Sequence, residues 1–318
     1  MDGRGYEAIF LSVFGGLAAI LLTLATLPML LFTIPALYSQ IHPIVHMLLI
    51  AVVGWMVWTE RGQGKLWAIF IFLLAGLLGS ITLSSFSDTA LFPALTGLFG
   101  FSGLIMSYYG RSGLPEQRKA CKVQLASMKG AAVGWFAGML AGLLPGIGSS
   151  QAAAVTSQAF RAKTKDFLVS LGGINAANII FTLVAFYTLG KTRSGAVAAI
   201  AQITPSISSS ELTLLMVVSL AAALLSVIIA LKAAGFAISR IHSISYKKTN
   251  LSIMIFLFAA VIIFTGMIGL LISFAGTLIG LLTIKLGIKR SHMMGFLIFP
   301  TILYFSGLSG IFSHLLGI

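Results

Sequence analysis

From Ala8 to Leu37 the chain runs without a charged side chain. That stretch exceeds the roughly 20 apolar residues needed to cross a bilayer. Other apolar segments follow at Ile44–Thr59, Trp67–Ser84, Ala90–Tyr109, Lys129–Leu144, Ser149–Phe160, Phe167–Leu189, Leu212–Lys232, Leu251–Ser273, Gly276–Leu286 and His292–Leu316. Only 8% of the 318 residues are charged and 58% are hydrophobic, whereas a soluble domain carries about 25% charged residues. A soluble fold is excluded. The sequence reads as an all-α polytopic membrane protein with about 9–11 membrane segments, multi-pass in the cell membrane. Ala8–Leu37 is too long for a signal peptide's apolar core and reads as a retained helix, kinked by Pro28.

The net charge of +13 does not indicate nucleic acid. The basic residues are scattered over short loops between apolar segments, as the positive-inside rule expects, where they meet the lipid bilayer. Cys121 is alone, so no intramolecular disulfide forms. The five histidines show no metal-ligand spacing; no metal, cofactor or nucleic-acid partner is expected. No Gly-x-Ser-x-Gly, His-Glu-x-x-His or Walker pattern occurs, so the sequence offers no catalytic constellation and is not read as an enzyme.

The segment "GLLPGIGSSQAAAV", Gly142–Val155, interrupts apolar sequence. Pro145 removes a backbone donor and disfavours helix at Leu144. Gly146 and Gly148 let the chain turn and admit close approach to the backbone. Ser149 and Ser150 are expected to cap a new helix carrying Gln151. Non-helical backbone inside a membrane survives only when buried in protein or lining a wet cavity, and the amides of a helix start suit a carboxylate or phosphate. Lys129 and Arg161 bracket the break. The chain therefore either dips in and returns as a re-entrant hairpin, or crosses as one broken helix. A proline kink held by neighbouring helices is the plainer alternative to a binding site.

"GGINAANIIFTLVAFYTLG", Gly172–Gly190, is the second unusual stretch. Asn175 and Asn178 lie three apart on one helix face and are expected to point at the Pro-Gly break, because an unsatisfied amide in hydrocarbon is costly. Helix–helix hydrogen bonding is the alternative role. Gly172 and Gly173 are expected at the start of that helix, close to a neighbour. Of the acidic residues near membrane segments, Glu211 in "ISSSEL" reads as a helix N-terminal residue. Asp88 in "SSFSDTALFP" is an ion-coupling candidate for Na+ or H+.

A weak internal repeat divides the chain. The stretch from Gly3 resembles that from Gly190, and "IFIFLLAGLLGSITLSS" resembles "IIFTGMIGLLISFAGTL". The first half has no counterpart of the Pro-Gly element. The expected organisation is therefore 1–110 as the remainder of a first repeat, 111–128 as a polar basic loop, and 129–318 as a second repeat with its break at 142–151. On this reading roughly two to three helices of the first repeat are missing upstream.

"GLLPGIGSSQAAAV" with "GGINAANIIFTLVAFYTLGKTRSGAV" resembles the TctA family, the large membrane subunit of tripartite tricarboxylate transporters, and more closely its TctA-like branch; "GRGYEAI" resembles a further family segment. The resemblance implies an ion-gradient-driven secondary transporter whose two halves each supply a Pro-Gly element. It implies a small organic anion as substrate at Pro145, Gly146, Gly148, Ser149, Ser150, Gln151, Asn175 and Asn178. In tripartite systems a small membrane subunit and an extracytoplasmic binding protein assist; the TctA-like branch does not require them. A homo-oligomer is compatible with the sequence. A lipid-linked phosphate translocase and a non-transporting membrane scaffold are the competing functions.

Overall fold

The computed structural model describes residues 3–86, 90–110, 128–160, 163–240 and 245–316. Among these residues the regular elements are helical: α1 (Gly5–Ile41), α2 (Val45–Trp58), α3 (Gly64–Ser85), α4 (Leu91–Leu95), α5 (Ser102–Tyr109), α6 (Met128–Leu143) and α7 (Ser149–Ala159). Then come α8 (Thr164–Leu189), α9 (Gly195–Ile203), α10 (Ser209–Arg240), α11 (Tyr246–Lys285), α12 (Gly295–Phe305) and α13 (Ser309–Leu316). A π-helical turn, Thr96–Phe101, joins α4 to α5. Six helical stretches among the described residues are long and apolar enough to cross a membrane. The chain is an all-α, multi-pass membrane protein. It divides into two compact units, one of Met1–Ile44 with Pro115–Ile241, the other of Val45–Leu114 with His242–Ile318.

In the first unit, α1, α6 and α8 run parallel. Gly130 of α6 meets Asp166 of α8, Gly134 meets Ser170, Gly138 meets Ile174 and Ala177, and Gly142 meets Asn178 and Phe181. Glu7 of α1 pairs with Lys165 of α8 at 3.1 Å and also with Arg4. These contacts need small residues. A Cβ on Gly172 would sit 1.8 Å from the Ser12 carbonyl oxygen, and one on Gly15 would sit 1.9 Å from that of Val169. Small residues are what allow membrane helices to approach this closely. Gly172 and Gly173 therefore do bring α8 against its neighbours. They do not start the helix, however: α8 runs unbroken from Thr164, so their amides are bonded within it. Farther along, Phe181, Val184, Leu30, Ile34, Leu143, Val197 and Met216 form the unit's apolar core.

The second unit is organised by α11. Its first limb runs against the α4–α5 segment in reverse order: Tyr246 bonds Ser107, Asn250 Nδ2 donates to Leu104 O at 2.9 Å, Leu257 nears Gly100 and Phe264 meets Phe92. Its second limb runs the same way as α4–α5: Gly269 nears Pro93, Gly276 nears Leu98 and Gly280 nears Ser102. The helix is thus a hairpin folded at Gly266, whose φ of 64° and ψ of −158° belong to glycine alone. The sequence reading placed this interruption between Ser273 and Gly276; those residues are helical. Likewise His292–Leu316 is not one segment. A 3₁₀ turn at Arg290–Met294 precedes α12, and Gly307 at φ 74° separates α12 from α13. In the same unit His292 is fully buried, with Nε2 3.1 Å from Glu60 Oε1, and Lys289 Nζ donates to Thr59 O at 3.2 Å. Burial pushes the His292 pKa below its ordinary value, against the opposing pull of Glu60.

Candidate functional site

The register of α6 and α8 settles how the chain passes the Pro-Gly break. Both helices begin at the same end, since Gly130 lies beside Asp166. The chain between them must go in along α6 and come back along α7. The break is the apex of a re-entrant hairpin, not a joint in a crossing helix. The limbs explain its depth. They have 16 and 11 residues, or about 24 Å and 16 Å, against a hydrocarbon core of about 30 Å. The residue facing the end of α6 is Asn178, about 21 Å along a helix of 26 residues. The apex therefore sits near the middle of α8.

The turn is built from residues that cannot continue a helix. Helix α6 closes with Leu144 N donating to Leu140 O at 2.9 Å. Pro145 follows, and Gly146 takes a left-handed φ of 77°. Gly148 is extended and stands at the N-cap of α7. The capping device differs from the expected one. Ser149 and Ser150 occupy the first helical turn, and Gln151 caps instead, its Oε1 accepting from Gly148 N at 2.9 Å and from Ser150 Oγ at 3.2 Å. A glutamine at this position reaching back to the cap amide is half of a capping box; glycine has no side chain to return the bond. The amides of Ser149, Ser150 and Gln151 have no backbone acceptor. The partial positive charge of the helix start, about half an elementary charge, is directed at the apex.

Four buried side-chain polar atoms on this hairpin and its α8 neighbour lack partners, Trp135 Nε1, Gln151 Nε2, Gln158 Oε1 and Asn178 Oδ1, and two of them lie near the apex. Gln151 is wholly buried, yet its Nε2 makes no hydrogen bond. Asn178 Oδ1 is buried and also unpaired, and a methyl group on Gly142 would lie 3.3 Å from it. Leaving such a group unsatisfied costs about 1–3 kcal/mol, a cost that a ligand completing the bonds removes. Asn178 thus faces the hairpin one turn before its apex. Asn175 does not share that position: about 60° around the helix, it is exposed. Asp88 lies outside the described residues. Glu211 is part of a complete capping box with Ser208, its Oε2 accepting from Ser208 N at 2.7 Å while Ser208 Oγ accepts from Glu211 N at 3.3 Å.

Sequence reasoning passed over Trp135, Tyr38 and Arg193. Trp135 Nε1 is buried and unpaired, and its ring meets Phe181 at 6.1 Å. Arg193 donates through Nη2 to Tyr38 Oη at 3.2 Å. Arg193, in "GKTRSG", is one of the basic residues that the sequence scatters over loops between apolar segments. Nothing local in that string shows that Tyr38 waits 155 residues away.

A family model described as "Tripartite tricarboxylate transporter TctA family" matches residues 1–295. The chain is 28% identical over 316 residues to the uncharacterized protein MJ1079 of Methanocaldococcus jannaschii, an alignment covering 96% of this chain and 78% of that one. No solved structure matches the chain.

Proposed function

Because the chain belongs to the tripartite tricarboxylate transporter TctA family, we propose that it is a secondary transporter of a small organic anion of the carboxylate class, driven by an ion gradient. The observation that carries this reading is Gln151. Its side chain is fully buried at a helix start that carries three unbonded amides, and its Nε2 is a donor without an acceptor. A buried, donor-rich start of a half-length helix suits a carboxylate. Pro145, Gly146 and Gly148 shape the turn, Ser149, Ser150 and Gln151 supply donors, and Asn178 flanks the site from α8. Asn175 belongs to the site only if a neighbouring element covers its exposed face. Asp88 is the proposed group for Na+ or H+ coupling.

The test is uptake by the purified protein in proteoliposomes. Labelled citrate, succinate and tricarballylate are offered under an inward Na+ gradient and, separately, an inward H+ gradient. Saturable uptake that collapses with one of the two gradients is expected. Uptake no greater than in empty vesicles, for every carboxylate and both gradients, removes the proposal.

A further inference from the structure

One end of the second unit gathers its cations. Tyr246 bonds Ser107 while Gly280 nears Ser102, so the start and the finish of α11 lie together at the end of α5. Gly64, at the start of α3, lies against Ile288 in the loop just after α11. That end therefore carries Arg61, Lys65, Lys285, Lys289, Arg290 and the Lys247–Lys248 pair, which among the described residues are all the lysines and arginines of the unit. The acid among them is Glu60, already engaged by Lys289 Nζ at 3.6 Å and His292 Nε2 at 3.1 Å. The positive-inside rule gives such an end to the cytoplasmic face, where the leaflet carries anionic lipid.

A groove of about 500 Å³ runs inward from this end, bounded by α2, α3 and α12. Its lining covers residues 50–58 of α2 and 65–73 of α3, with Phe299 and Ile302 of α12. Each helical span is about 12 Å long, close to the roughly 15 Å of hydrocarbon in one leaflet. Helix α3 has 22 residues, or about 33 Å, and spans the hydrocarbon. Lys65, in its first turn, thus stands at the membrane surface. Trp58 and Trp67 are both exposed there, as tryptophans are at an interface.

Lys65 is the charged residue of the lining. Its Nζ stands over the Trp58 ring, 4.7 Å from the centroid, and among the described residues no carboxylate pairs with it. The cleft between the α11 limbs is of similar size but has no charged residue in its lining, so a cation at the mouth sets the α2–α3–α12 groove apart. Deeper in, the groove is open at Gly54, where a Cβ would meet nothing within 4 Å. An apolar groove offers water no partners, and left empty it forfeits dispersion contacts along its whole lining. An acyl chain restores those contacts. The free ammonium at the outer end selects the head group, since a phosphate is what a lysine there pairs with.

We propose that the groove between α2, α3 and α12 binds one anionic phospholipid, with an acyl chain laid past Gly54 and its phosphate at Lys65. The site is built from the second unit alone and does not depend on the carboxylate reading.

The experiment uses the purified full chain, delipidated in detergent. Native mass spectrometry follows the binding of dioleoylphosphatidylglycerol and, separately, dioleoylphosphatidylcholine, and melting temperature follows folding. The wild type is expected to bind one phosphatidylglycerol at least fivefold more tightly than phosphatidylcholine, the scale of one cation at an anionic surface. Lys65→Gln is expected to bring the two lipids to near parity without changing phosphatidylcholine binding. Gly54→Leu, which puts a good helix former into the open groove, is expected to weaken both lipids about tenfold. If Gly54→Leu yields no folded protein, Lys65→Gln carries the test alone. Wild-type affinities in Gly54→Leu, or an undiminished preference in Lys65→Gln, overturn the proposal. A rise in melting temperature with inorganic phosphate equal to that with phosphatidylglycerol makes the ligand a free anion and also overturns it. So does a lipid-free dimer that Gly54→Leu dissociates, which would assign the groove to a second copy of this chain.

Discussion

Two helical hairpins in this protein turn on glycine, and they differ in nearly everything else. The α11 hairpin has limbs of about 20 residues, each about 30 Å and long enough to cross the hydrocarbon alone. Its apex at Gly266 is flanked by Ile263, Phe264 and Met267, all about three-quarters exposed. Its cleft, a cavity of about 460 Å³, is lined by Phe101, Phe258, Leu270, Phe274 and other apolar side chains, with Ser273 and Thr277 as the polar members. The α6–α7 hairpin has limbs too short to cross, and its apex lies against the middle of α8 beside unpaired Gln151 and Asn178 atoms. Limb length decides which kind of turn results. Full-length limbs carry the turn to the far side, where backbone polar groups are wetted. Short limbs strand the turn at depth, where its open amides must be met by protein or ligand.

Removing the apex should break the contrast most severely. Pro145→Ala with Gly146→Ala lets helix propagate through 144–148 and consumes the free amides. Uptake in proteoliposomes is expected to fall by about a hundredfold, the equivalent of two lost charge-assisted hydrogen bonds, with folded yield near wild type. Loss of yield with specific uptake intact would reduce this apex to a structural kink. Asn178→Leu sharpens the same point. It replaces an unpaired buried amide with an apolar side chain, so thermal stability should hold or rise by up to about 1 kcal/mol while uptake falls about tenfold. A stability loss with unchanged transport would show that Asn178 is helix glue.

The opposite pattern is expected at the other hairpin. Gly266→Ala meets no neighbouring atom within 4 Å, yet forces a side chain into a glycine-only conformation. It should cost about 1–3 kcal/mol of stability, read as a lower melting temperature, with uptake per folded molecule unchanged. Reduced uptake per folded molecule would mean that the α11 turn also moves during transport. The smallest effect belongs to the His292–Glu60 contact in the second unit. A histidine whose pKa is lowered by folding leaves the unfolded chain holding more protons. Stability is therefore greatest above the ordinary value of about 6.5 and declines as pH falls through that value toward the folded one. Melting scans from pH 8 to pH 5 should show this decline, and His292→Gln should flatten it. An identical pH profile in the variant would assign the slope to other groups.

Much of the helix plan was legible because apolar length is written locally. Gly5–Ile41, Gly64–Ser85 and Thr164–Leu189 lie within a few residues of the sequence expectation. The Pro-Gly break was equally legible, since proline and left-handed glycine act on their own backbone. One error was local and another arose where the deciding partner was distant. Ser149 and Ser150 looked like caps, but Gln151 reached back to Gly148 first. Ser273–Gly276 looked like a break, but it packs as helix against Gly97 and Leu98 while Gly266 turns. Helix α9 was not anticipated, because its nine residues are too few to stand out as a membrane segment.

Sequence alone determined the class of this protein and the place where its backbone would break. An 8% charged chain has nowhere to be but a bilayer, and Pro-Gly-x-Gly stops a helix whatever surrounds it. The direction of the chain after the break was decided only by tertiary structure. Re-entry and crossing have the same local sequence; the parallel register of α6 with α8, set by α6 glycines that each meet the residue 36 positions later in the pairs Gly130–Asp166, Gly134–Ser170 and Gly142–Asn178, selects re-entry. The same holds for the exposure of Asn175, the burial of Gln151 and the seat of Arg193 on Tyr38. Each depends on which helix face meets another helix, a relation between distant segments that no single stretch of the chain contains.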